Sequence, residues 1–99
     1  MTQTIKTIRI TPHTDIVAFD AVNVLKRCFF GIYALNLTTS VLDYIKISFA
    51  DTSFTNSFTL SPYHLFFECD GKNVFQGTVL IRNTSAVTAY TISTTEILE

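Results

Sequence analysis

The residues able to do chemistry in this 99-residue chain are few and far apart. The two histidines are His13, which follows a proline, and His64, on an outward position of a strand-like segment. The two cysteines are Cys28 and Cys69. A nucleophilic triad needs a serine held in a strained, exposed turn beside a histidine and a carboxylate, and no Gly-x-Ser-x-Gly element occurs. His13, Cys28, His64 and Cys69 have the right chemistry for zinc. Structural zinc sites, however, present their ligands in pairs a few residues apart, and no such pair is present. Surface histidines and buried cysteines are therefore expected. A calcium loop wants carboxylates at alternate positions, whereas Asp15, Asp20, Asp43, Asp51 and Asp70 stand alone, mostly at turn signals. No glycine-rich phosphate loop is present. The expectation is a protein without catalytic residues, metal, cofactor or small-molecule ligand.

Composition narrows the partners. Charged residues make up 15% of the chain, hydrophobic ones 47%, and the formal net charge is −1. Nucleic-acid binding rests on clustered Lys and Arg that neutralise phosphates, so nucleic acid is excluded as an expected partner. The basic pair Lys26-Arg27 reads as a solvated turn or strand end. Net charge near zero favours association. No apolar stretch approaches the ~20 residues of a membrane span. The opening Met1-Thr2-Gln3-Thr4-Ile5-Lys6 lacks the basic and apolar regions of a signal peptide, so synthesis in the cytosol is expected. In that compartment Cys28 and Cys69 are expected to be reduced, a bridge remaining open if they lie on adjacent strands. Two glycosylation sequons, Asn36-Leu37-Thr38 and Asn83-Thr84-Ser85, read as chance in so Thr-rich a chain.

The elements that would position any site are strands. Alternation of apolar and polar residues, broken by Pro, Gly, Asp, Asn and Ser, recurs every 8–12 residues or so along the chain. Strands are expected at Thr4–Ile10, Asp15–Phe19, Cys28–Thr38, Asp43–Ala50, Asn56–Leu60, Tyr63–Cys69, Val74–Arg82 and Val87–Thr95. Asp70-Gly71-Lys72-Asn73 is the strongest hairpin signal. The stretch from Asp20 to Phe30 fits either helix or strand, and a single helical turn near residues 20–26 is expected. This predicts one all-β domain over residues 1–99, an antiparallel β-sandwich or jelly-roll-like fold of about eight strands, with residues 1–20 as an N-terminal arm or as edge strands. The predicted core holds Ile32, Ile45, Ile47, Phe49, Phe58, Leu65, Phe67, Val79 and Ile81.

The segment Cys28–Thr38 is apolar on both faces. Phe30, Ile32 and Ala34 point one way, and Phe29, Tyr33, Leu35 and Leu37 the other. In a two-sheet sandwich only one face of a strand meets the core, so the second needs a cover. Phe29, Tyr33, Leu35 and Leu37 are therefore the candidate interface. The cover is either a neighbouring subunit or the N-terminal arm with Ile5, Ile8 and Ile10, and the neighbour is preferred because a monomer seldom exposes a large apolar patch.

Residues 26–98 resemble small β-sandwich virion proteins of bacteriophages. The likeness is carried by Lys26-Arg27-Cys28-Phe29-Phe30, by the strand Tyr44-Ile45-Lys46-Ile47-Ser48-Phe49, by Ser61-Pro62-Tyr63, and by Thr78-Val79-Leu80-Ile81-Arg82-Asn83-Thr84-Ser85 followed by a Thr-rich terminal strand. Such proteins are often richer in turn glycines. The resemblance implies a structural component of a virion (a capsid vertex, decoration or tail-associated subunit), made in the host cytoplasm, whose partners are further copies of itself and other virion proteins. It carries over no catalytic residue. The competing reading is a carbohydrate- or protein-binding module, with Tyr33, Tyr44, Phe54 and Tyr63 as platform aromatics.

Overall fold

The computed structural model describes residues 2–22, 26–34, 45–60, 65–68 and 74–99. Among them eight strands form two four-stranded antiparallel sheets and no helix occurs. The strands are β1 (Thr2–Ile10), β2 (Asp15–Phe19), β3 (Arg27–Ala34), β4 (Ile45–Phe49), β5 (Ser57–Leu60), β6 (Leu65–Glu68), β7 (Val79–Asn83) and β8 (Tyr90–Leu98). Sheet A has the order β1-β8-β3-β6 and sheet B the order β2-β7-β4-β5. First pairs with last, second with seventh, third with sixth and fourth with fifth, as in a long hairpin rolled up on itself. The β1–β8 ladder runs from Thr2↔Leu98 to Ile10↔Tyr90 without interruption.

The core lies between the sheets and follows the period of two. Ile10, Phe30, Ile32, Tyr90 and Ile92 from sheet A meet Phe19, Ile45, Ile47, Leu60, Val79 and Ile81 from sheet B. The Phe30 ring spans the gap, 5.3 Å from Phe19 and 6.0 Å, edge-on, from Phe49. Each fully buried side chain of this size stabilises the fold by about 1.5–3 kcal/mol.

Several expectations need correction. Phe58 is 36% exposed, because β5 is an edge strand and its inner row is open on one side. Phe49 is half-buried, between the Phe58 edge at 5.8 Å and a Phe75 ring stacked on it at 4.8 Å. In β6 the backbone register pairs Leu65 with Tyr33, Phe66 with Ile32 and Phe67 with Gly31. The strand expected from Val74 begins only at Val79, and the one expected from Val87 only at Tyr90. Asp20, Ala21, Val22 and Lys26 are not helical: the Val22 N–H donates to the Gln76 carbonyl at 2.9 Å instead. The rest of that expected turn, residues 23–25, lies outside the described residues.

Arg27 is the largest departure. Read as solvated, it is fully buried. Its Nε donates to Glu96 at 2.9 Å, Nη1 to the carbonyls of Phe75 and Gly77 at 2.7 and 3.0 Å, and Nη2 to the Asp20 carbonyl at 2.7 Å. The guanidinium also sits 5.4 Å over the Phe19 ring and 5.7 Å over Phe30. The cause is a register shift between Arg27 and Phe29 in the β3–β8 ladder. An extra residue there breaks the period of two, so Arg27 and Phe30, three apart, both turn inward.

Candidate assembly surface

Sheet A has an outer face built by the alternate rows of β1, β8 and β3. Strict pairing sets Phe29 opposite Ile97, Gly31 opposite Thr95 and Tyr33 opposite Ser93. Each pair shares one side of the pleat, so these six positions form one continuous outer patch. Gly31 carries no side chain, and two aromatic residues flank it. The result is a depression of about 360 Å³ lined by Gln3, Phe29, Gly31, Tyr33, Ser93, Thr95 and Ile97. Its walls are mostly apolar, with the hydroxyls of Ser93 and Thr95 and the Gln3 amide between them. Tyr33 is 38% exposed, and Ile5, on the same face of β1, is 62% exposed.

The candidate residues Phe29 and Tyr33 thus fall on one face, opposite to Phe30 and Ile32. Leu35 and Leu37 lie outside the described residues. The N-terminal strand does not fold over this patch. β1 lies in the plane of the sheet beside β8, with Ile10 inward, Ile8 half-buried and Ile5 outward. Gly31 and Ile97 were not singled out in the sequence. The Phe29-Phe30-Gly31-Ile32-Tyr33 pattern, a glycine framed by aromatics at period two, is the signal that points to them.

The other polar clusters carry less. On the outside of sheet B, an open depression of about 400 Å³ is lined by His13, Asp15, Lys46, Arg82, Asn83 and Thr84. Arg82 donates twice to the Asp15 carboxylate, at 2.7 and 2.9 Å, and lies 4.2 Å over the Phe54 ring. That hydrogen bond holds the Arg82 guanidinium even more firmly protonated than usual. Asp15, engaged through both oxygens, is poorly placed as a general base. A third cavity of about 140 Å³ lies where the β1 and β2 edges meet and includes Lys6, Asp20 and Glu96, the last held by Arg27.

Among the described residues no three His, Cys, Asp or Glu side chains come together as a metal site. His13 lies in the β1–β2 turn, beyond Ile10↔Tyr90, whereas Cys28 sits by Ile97 at the opposite end of β8, its Sγ 3.4 Å from the Ile97 carbonyl. His64, Cys69, Tyr44 and Tyr63 lie outside the described residues, as does the Asn36 sequon. Asn83 of the second sequon is fully buried, its amide donating to the carbonyls of Ile10, Thr11 and Thr88. Phe54 is also buried and is no exposed platform.

No protein-family profile matches the chain. No curated protein matches its sequence. A solved structure from Bacillus endospore appendages, which form a family of disulfide-linked pili, is similar to it with a TM-score of 0.58 at 15% identity. The likeness covers 98% of this chain and 87% of that one. At this identity it shows the fold, an all-β sandwich. It does not show the relationship to bacteriophage virion proteins that the strand pattern resembles.

Proposed function

We propose that the protein is a structural subunit that works by assembling with further copies of itself, and that it catalyses no reaction. The observation that carries this reading is the outer face of sheet A, where Phe29, Tyr33 and Ile97 surround Gly31 beside an exposed Ile5, in a chain with only 15% charged residues. Covering such a patch is favourable by ~25 cal/mol per Å² of apolar area removed from water. The fold likeness to an appendage that is itself a pilus supports the same class of role. The strand order, two interleaved four-stranded sheets with first paired to last, supports calling the sandwich a jelly roll, an architecture of two Greek keys. A surface appendage and a virion are the two settings we propose for such a subunit, and both would place the assembled form outside the cell that made it.

The test is mass in solution. Light scattering and negative-stain microscopy across a wide concentration range should show ordered multimers of the wild type, and Tyr33→Lys should dissolve them while leaving the strand spectrum intact. A wild type that stays monomeric at high concentration would defeat the proposal. If that monomer bound sugars through Tyr33, the carbohydrate-binding reading would take its place, with the aromatic ring as platform and Gln3, Ser93 and Thr95 as hydroxyl partners.

A further inference from the structure

We infer that the Gly31 depression receives Val87 from a second copy of this chain, so that subunits join head to tail. This rests on the assembly role proposed above and names the contact. Val87 is 82% exposed, the most exposed large apolar side chain among the described residues. A lone exposed valine is ordinary; the loop that holds this one is not loose. The Val87 and Thr88 N–H groups both donate to Ser85 Oγ, at 3.2 and 2.9 Å. Ser85 is buried, and its N–H donates to Asn83 Oδ1 at 2.9 Å. Asn83 in turn bonds the Thr88 carbonyl, and the Ser85 carbonyl accepts from the His13 N–H at 3.1 Å. The loop is tied at its base and presents one apolar tip in a fixed direction. Preorganisation of this kind reduces the entropy lost on binding.

The receiving site has the matching chemistry. Its floor is a glycine, its walls are Phe29, Tyr33 and Ile97, and its volume of about 360 Å³ is ample for a branched aliphatic side chain. Tip and hole cannot meet within one subunit. Val87 precedes β8, whereas the depression surrounds Thr95, and roughly 17 Å of strand separates Tyr90 from Thr95 at ~3.3 Å per residue. A protrusion on one part of a molecule that fits a hole on another part makes a heterologous contact, which closes into a ring or runs on as a fibre. Val87 would be the anchor, with Ile5 and Gln3 beside the hole contributing surrounding area.

Complementation tests the geometry. Val87→Asp spoils the tip and leaves the hole, while Tyr33→Lys spoils the hole and leaves the tip. Both side chains are exposed, and melting curves would verify that each variant folds. Each variant alone should need a protein concentration on the order of tenfold higher or more to assemble. An equimolar mixture should give a one-to-one dimer and nothing longer, since one intact contact remains per pair. Assembly of Val87→Asp at the wild-type concentration, with Tyr33→Lys defective, would overturn the Val87 contact and leave the assembly role standing. A mixture that stays monomeric would also overturn it. A monomeric wild type would remove the assembly role itself.

Discussion

The guanidinium of Arg27 and the carboxylate of Glu96 meet at 2.9 Å inside the sandwich, joining β3 to β8 at the end where the chain also crosses between sheets. The Arg27 side chain is fully buried, while 18% of Glu96 reaches solvent. The pair is one limb of a larger hub: the same guanidinium takes carbonyls from Asp20, Phe75 and Gly77, and Gln76 bonds the Arg27 backbone at both its N–H and its carbonyl. Two segments without regular structure are thereby tied to the middle of sheet A.

Removing that charge should be severe. Arg27→Ala leaves Glu96 and three carbonyls without their donor, and breaking a buried pair from one side destabilises by about 3–5 kcal/mol. Arg27→Lys should recover little, because an ammonium cannot reproduce the planar fork. Glu96→Gln, which keeps an acceptor oxygen, should be milder than either. Urea unfolding orders the three, and an Arg27→Ala protein as stable as wild type would contradict the hub.

Asn83 plays the same part at the other end of the fold. Its amide bridges the carbonyls of Ile10 and Thr88 at 3.0 and 2.8 Å, and its oxygen receives the Ser85 N–H. Asn83→Ala should destabilise by about 2–3 kcal/mol, since an unsatisfied buried group costs about 1–3 kcal/mol and more than one is orphaned. Hydrogen exchange should show the loss concentrated in the 84–89 loop and the β1–β2 turn. A uniform change across both sheets would argue against this local role.

What the sequence revealed and what it hid divide along the same physical line. Ile45, Ile47, Val79 and Ile81 sit on strands with a regular period, and alternation alone identifies them as core. Phe29 and Tyr33 against Phe30 and Ile32 were legible for the same reason. Arg27 was not, because a bulge reverses its face and a bulge has no signature in a single chain. Phe58 obeyed its period but lay on an edge, and edges are set by which strands pair. The contacts of Asn83 with Ile10 and of Arg27 with Glu96 link residues 73 and 69 positions apart, beyond the reach of local pattern. The Gly31 depression needed the β3–β8 register before its walls could be assembled.

Gly77 illustrates a constraint of space. A Cβ there would lie 2.6 Å from Cζ of Phe75, whose ring is stacked on Phe49. The ring must move or the backbone must give, and the Gly77 carbonyl is one that Arg27 uses. Gly77→Ala should destabilise by about 1–3 kcal/mol, the usual range for overpacking. In a Phe75→Ala background the same change should be nearly neutral, because the obstruction is gone. A double-mutant cycle showing strict additivity would refute this coupling.

The last expectation concerns acid. Asp51 lies at the start of the β4–β5 connection and its carboxylate organises that turn. Oδ2 accepts the Asn56 N–H at 2.8 Å, and Oδ1 accepts the Ser53 hydroxyl and N–H at 2.6 and 3.1 Å. These hydrogen bonds, the Asn56 N–H first and the Ser53 hydroxyl next, favour the ionised form and hold the carboxyl below its ordinary value of 3.8. The folded state therefore releases this proton more readily than the unfolded chain does. The stability so gained is present in full above the ordinary carboxylate range and is lost as pH falls through the lower folded-state value. The turn also holds Ala50 and Phe54 at positive φ, 60° and 57°, so it depends on such local bonds. Asp51→Asn should lower the melting temperature at neutral pH and flatten its fall between neutral and strongly acidic solution, since one titrating group is gone. Parallel melting curves for variant and wild type over that whole range would show that Asp51 does not contribute in this way.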